Sequence, residues 1–113
     1  MGERRKAKRY EVFLPLQVCI SRRRSAEYHG ADLRDISRTG IYFHSSVPVE
    51  IGVGVELTFS LPTDQDRSTS VLVRASARTL RVESLDGGLS PAYGVATTID
   101  RIDFVRPVVS NAA

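Results

Sequence analysis

Arg4, Arg5, Lys6, Lys8 and Arg9 crowd the first nine residues, and a polar stretch, Asp35-Ile36-Ser37-Arg38-Thr39-Gly40, follows well downstream. These residue types do recognition chemistry. A guanidinium bonds guanine O6 and N7 in bidentate fashion and stacks its plane on a purine face. The Asp35 carboxylate accepts where the N1–H and exocyclic amine of guanine donate. The Ser37 hydroxyl and the backbone N–H groups near Gly40 can hold phosphate oxygens, as turn nests do. Together they suit a small anion that carries guanines, with the basic segment folding onto the polar turn when that anion bridges them. The turn also has a purely structural reading. Asp35 and Ser37 can bond their own backbone, and a glycine where a turn meets a strand fits a positive φ.

No constellation for catalysis stands beside this set. His29 and His44 are the only histidines, and no Cys or His pair has metal-ligand spacing. His44 and Ser45 are neighbours on a strand and so face opposite sides. No glycine-rich phosphate loop precedes a helix. Asp64 and Asp66 sit in a polar loop and are read as solubilising. The expectation is a binding protein, not an enzyme, with no metal and no cofactor. The single Cys19 permits no internal disulfide and reads as a small packing residue.

Charge separates the chain into parts. The net charge is +3 over 113 residues, but residues 1–9 hold five basic groups and one acid. The remainder carries eleven basic and twelve acidic groups, so the body is near neutral and the cation is local. At 42% apolar and 26% charged, the composition is that of an ordinary globular domain, and the length suits one. No apolar run approaches the roughly 20 residues of a membrane span, so no membrane insertion is expected. The charged start lacks the apolar core of a secretory signal, and Lys6 stands where a myristoylation site needs Ser or Thr. A cytoplasmic location is the expectation.

The elements that must position the polar residues are strands. Val12, Leu14, Leu16, Val18 and Ile20 alternate without a break, which buries one face of a strand. Pro15 in that run points to an edge or a bulge. Ser21–Ser25 is a hairpin loop with three arginines, read as solvated. Residues 27–36 are a weaker strand, with Gly30 marking a bulge. Ile41 and Phe43 resume alternation directly after Gly40. Val53, Val55, Leu57, Phe59 and Leu61 form another half-buried strand. Val71, Val73, Ala75 and Ala77 open a long one whose apolar phase switches to Leu80 and Val82, the mark of a bulge or bend. Tyr93, Val95 and Thr97 are the last strand, and Ile99–Val105 is left open to a turn of helix that Pro107 would limit. Short strands at close spacing with polar loops predict an all-β sandwich or small antiparallel barrel. The expected division is a loose ligand-gripping arm over 1–9, a barrel over 10–106 and a tail over 107–113.

At this point the residues resemble a known family. Arg5-Lys6-Ala7-Lys8-Arg9 fits the RxxxR signature and Asp35-Ile36-Ser37-Arg38-Thr39-Gly40 fits the [DN]xSxxG signature of PilZ domains, bacterial receptors for the second messenger cyclic di-GMP. The resemblance extends through the Leu14-Pro15 strand, the Gly52–Leu61 strand ending in Leu-Pro, the Val71–Arg81 strand and Tyr93-Gly94-Val95, and so covers nearly the whole chain. It implies a six-stranded antiparallel β-barrel, with at most a short C-terminal helix, that binds cyclic di-GMP on its outer surface. By the same resemblance Arg5 and Arg9 grip guanine and phosphate, Asp35 reads a guanine edge, Ser37 bonds the phosphate or base region, and Gly40 shapes the turn. Arg4, directly before the motif, would stack on a second ligand. The family also implies a protein effector. Two departures stand out: the terminal helix common in the family is short or missing, and Thr97 takes a position where an aromatic often stands.

Two other functions compete. A nucleic-acid-binding small barrel would track phosphates with the arm and Arg22–Arg24, but the near-neutral body opposes it and nucleic acid is not the expected partner. A PilZ domain that binds no ligand and serves only protein interaction is opposed by the intact arginines.

Overall fold

A computed structural model of the chain describes residues 9–21, 23–63, 69–85, 88 and 90–109. Six strands run in chain order: β1 Tyr10–Ser21, β2 Ala26–Ile36, β3 Gly40–Ser45, β4 Gly54–Pro62, β5 Thr69–Leu85 and β6 Ala92–Val109. They close into a barrel in the order β1-β2-β3-β6-β5-β4, every neighbouring pair antiparallel. The seam is β4 against β1, from Gln17↔Thr58 to Ile20↔Val55. Closure gives every strand a neighbour on both sides over at least part of its length.

Alternation in the sequence becomes the inside and outside of this barrel. Leu16, Val18 and Ile20 of β1, Val55, Leu57 and Phe59 of β4, and Val73, Ala75 and Ala77 of β5 are all buried. They meet Leu33, Ile41, Phe43 and Val95 in one core. Each large side chain so buried contributes about 1.5–3 kcal/mol. Pro15 pairs with Asp32 of β2, while the ladder to β4 begins only at Gln17, so Pro15 lies where β1 has a neighbour on one side.

Several register shifts set which residues face out. Between Glu11↔Asp35 and Leu14↔Leu33, two residues of β1 oppose the single residue Arg34. Gly30 is not bulged; it pairs with Gln17 in unbroken register. On β5, Thr79 pairs with Thr97 and Arg81 with Ala96, which leaves Leu80 as the extra residue. The apolar phase does switch there, but Leu80 itself is pushed outward and exposed, and Thr79 takes the buried position. On β6, Ala77 pairs with Ile99 and Ser76 with Arg101, so Asp100 is the extra residue. That bulge explains a misleading pattern. Ile99 and Ile102 are three apart, which reads as helical, yet both pack against the core from a strand with one residue inserted between them. The stretch left open to a turn of helix is therefore strand, and β6 passes Pro107 where the register with β5 shifts again. No described residue is helical.

Two threonines face each other inside the barrel. Thr97 Oγ1 donates to the Ile41 carbonyl at 2.8 Å, which accounts for a polar residue at this buried position. Its cross-strand partner Thr79 is equally buried, and its Oγ1 has no hydrogen-bond partner among the described residues. A buried, unpaired hydroxyl costs roughly 1–3 kcal/mol. Thr79→Val keeps the shape and removes the hydroxyl, so it is expected to stabilise the fold by about 1 kcal/mol. Urea unfolding checks this, and a lower midpoint for the variant would show that Thr79 has a partner in solution.

Candidate ligand-binding groove

The turn between β2 and β3 is built by Ser37. Its backbone N–H donates to the Gly40 carbonyl at 2.9 Å, and its Oγ accepts the N–H groups of Thr39 at 3.2 Å and Gly40 at 3.1 Å. The local polar sequence thus closes its own corner, as Ser and Asp do in turns. The same bonds occupy two of the backbone N–H groups near Gly40 that were expected to be open to phosphate. The Ser37 hydroxyl proton has only long contacts, 3.4 Å to Gly40 O and 3.4 Å to Thr39 Oγ1. A hydroxyl that accepts two N–H groups and donates poorly within its turn is available to donate to a ligand.

Gly40 is required for space, not for a positive φ. The only positive-φ glycine among the described residues is Gly52. A Cβ on Gly40 would lie 2.6 Å from the Thr97 carbonyl oxygen. The turn is pressed this tightly onto β6 because Ile99 N–H donates to the Thr39 carbonyl at 2.9 Å, beside the pair Gly40↔Thr98.

Antiparallel pairing of β1 with β2 then brings the basic arm to the turn. Tyr10, the first residue of β1, pairs with Ile36, the last of β2, so Arg9 emerges beside the Ser37 corner. Arg9, Asp35, Ser37 and Gly40 line one open groove of about 440 Å³ on the outside of the barrel. That is within the usual size range of small-molecule sites. Arg4 and Arg5, the other two expected contacts, lie outside the described residues.

Sequence reasoning did not include the far wall, which comes from β3 and β5. Tyr42 donates its hydroxyl to Glu83 Oε2 at 2.9 Å, across the intervening strand β6. Burial and then this bond raise the Tyr42 pKa, with Asp35 adding to the effect and Arg81 opposing it. The phenol therefore stays protonated at neutral pH. Arg81 lines the groove with Leu80 beside it at the bulge. The phase switch in β5 was the available signal for this wall, because a bulge re-aims the side chains that follow it. Gly40 and Ala96, with little or no side chain, also line the groove. Among the described residues no group of three His, Cys, Asp or Glu is placed to hold a metal ion. No described helix is long and apolar enough to cross a membrane.

The arrangement presents one arginine on each side, a carboxylate and hydroxyl at the turn, and an aromatic ring. It can take a planar, hydrogen-bonding anion. The family model described as PilZ domain matches residues 3–105. No curated protein matches the sequence. Among solved structures the fold is similar to that of the Bacillus subtilis inhibitor of motility, MotI/DgrA, with a TM-score of 0.67 at 16% identity, over 90% of this chain and 45% of that one. At that identity the likeness is one of fold, and this chain spans less than half of that protein's length.

Proposed function

This chain belongs to the PilZ domain family, and from that premise we propose that it is a receptor for cyclic di-GMP whose N-terminal arginine arm orders over the ligand and signals to a protein effector. The observation that supports this reading most is the meeting of Arg9 with Asp35, Ser37 and Gly40 in one groove, although the two motifs are far apart in sequence. Barrel closure and the β1–β2 pairing make that meeting a property of the fold, so the ligand need not create it.

In the receptor, Arg9 and Arg5 bond guanine and phosphate, Asp35 accepts from the guanine edge, and the weakly engaged Ser37 hydroxyl donates to a phosphate or base oxygen. Arg4 stacks on a second ligand. Each arm residue that orders on binding costs about 1–2 kcal/mol in backbone entropy. Charge-assisted hydrogen bonds at roughly 1.5–3 kcal/mol each, with stacking, offset that cost. The arm and the bound ligand together form one surface, and this surface is what the effector reads.

Isothermal titration of cyclic di-GMP into the protein tests the proposal. Micromolar or tighter binding, at one or two ligands per chain, is the expected result. Asp35→Ala should bind about tenfold more weakly and discriminate less against cyclic di-AMP, because it removes a charge-assisted acceptor for guanine N1–H and the amine. Absence of binding to cyclic di-GMP, with retention of single-stranded oligonucleotides, would replace the receptor by a phosphate-tracking barrel.

A further inference from the structure

The Tyr42 side chain does not stand up from the sheet as outward residues usually do. It lies down across Gly94. A Cβ on Gly94 would collide with the phenol, lying 2.8 Å from its Cζ and 3.1 Å from the Glu83 carboxylate. Glycine is therefore what lets the ring rest on the backbone of β6. Both ends of the ring are held. Its hydroxyl is tied to Glu83, and beside it the His44 ring packs nearly perpendicular, at 83° with centroids 5.5 Å apart. Burial, and then Arg34, hold His44 below the ordinary imidazole value, so this neighbour is neutral at neutral pH.

A ring with one face on the sheet turns its other face outward, and Tyr42 lines the groove. Its surroundings are ordered by the strand register. Asp35 is its partner on β2, Ala96 its partner on β6, and Arg81 pairs with Ala96 from β5. A purine laid on the ring thus has a hydrogen-bond acceptor on one side and a cationic donor on the other. Guanine complements that arrangement, offering N1–H and an amine to the carboxylate and O6 and N7 to the guanidinium. Adenine offers an amine in place of O6 and no N1–H. We propose that Tyr42 is the stacking platform for one guanine of the ligand, pre-set by Glu83 and Gly94, with Arg81 as the donor that completes its selectivity. This assignment rests on the receptor reading above. Because the ring is tethered before the ligand arrives, little side-chain entropy is lost on stacking.

The test is a titration of cyclic di-GMP into the full chain and its Tyr42→Phe, Tyr42→Leu and Arg9→Ala variants. It is followed by calorimetry and by NMR of ¹³C-labelled tyrosine rings, with Tyr42 assigned by its loss in Tyr42→Phe. Stacking predicts an upfield shift of the Tyr42 ring protons in the wild type. It also predicts roughly 5- to 150-fold weaker binding in Tyr42→Leu. Tyr42→Phe, which keeps the face and loses the tether, should lie between the two, within about fivefold of wild type. If Arg9→Ala abolishes binding while Tyr42→Leu binds like wild type and the ring protons stay in place, the receptor stands and the platform is overturned. If wild type itself does not bind, both fall. Should Tyr42→Leu fail to fold, the ring shift and Tyr42→Phe decide the matter.

Discussion

Arg9→Ala is expected to weaken cyclic di-GMP binding by a hundredfold or more, with almost no effect on stability. Arg9 is exposed and directly precedes β1, so its removal leaves no cavity and breaks no ladder. Surface changes of this kind stay within about 0.5 kcal/mol in stability. In the complex the guanidinium is expected to make two charge-assisted bonds, each worth roughly 1.5–3 kcal/mol, and about 1.4 kcal/mol is a factor of ten in affinity. Arg5→Ala is expected to act alike from further along the arm. Calorimetry on both variants beside their thermal melts provides the check. Wild-type affinity in either, with an unchanged melt, would remove that residue from the site.

Gly40→Ala should act in the opposite way, on the fold first and the ligand second. The new methyl carbon would sit 2.6 Å from the Thr97 carbonyl oxygen, and backbone atoms cannot swing aside as a side chain can. Either the turn lifts away from β6 or the β3–β6 ladder opens at Gly40↔Thr98. Overpacking of this kind costs about 1–3 kcal/mol, and each kcal/mol lowers the melting temperature by about 4 °C in a domain of this size. Lifting the turn also carries Ser37 away from the groove, so binding should fall by tenfold or more even well below the melting temperature. A melt and an affinity both like wild type would mean that the Gly40–Thr97 approach is looser in solution than 2.6 Å. Gly52→Ala provides a contrast. Gly52 has open space around it but a φ of +89°, so its cost is conformational strain and it should leave the groove intact.

Much of this was readable in one dimension because strands have a strict period. The runs from Val12 to Ile20 and Val53 to Leu61 could only be half-buried strands, and they are β1 and β4 with little adjustment. Where a bulge broke the period the reading failed, and the physics is the same each time. One inserted residue turns a period of two into a spacing of three. Ile99 and Ile102 then imitate a helix, and Leu80 is assigned to the core when it is the residue expelled from it. Gly30 failed differently, since a glycine in a strand marks a bulge only if the partner strand is one residue out of step, and Gln17 is in step.

Residue types alone set the expectation for the kind of chemistry: arginines, a carboxylate and a serine in polar segments flanking strands. They also determined the all-β class, because alternation is a local property of the chain. What only the tertiary structure decided is which residues share the groove. The far wall of Tyr42, Leu80, Arg81 and Glu83 is assembled by the β3–β6–β5 register, and a register between distant segments is settled by pairing, which no single segment encodes. The reason for Gly40 lay there too. Its own turn would tolerate a side chain; the Thr97 carbonyl, brought against it by strand pairing, does not.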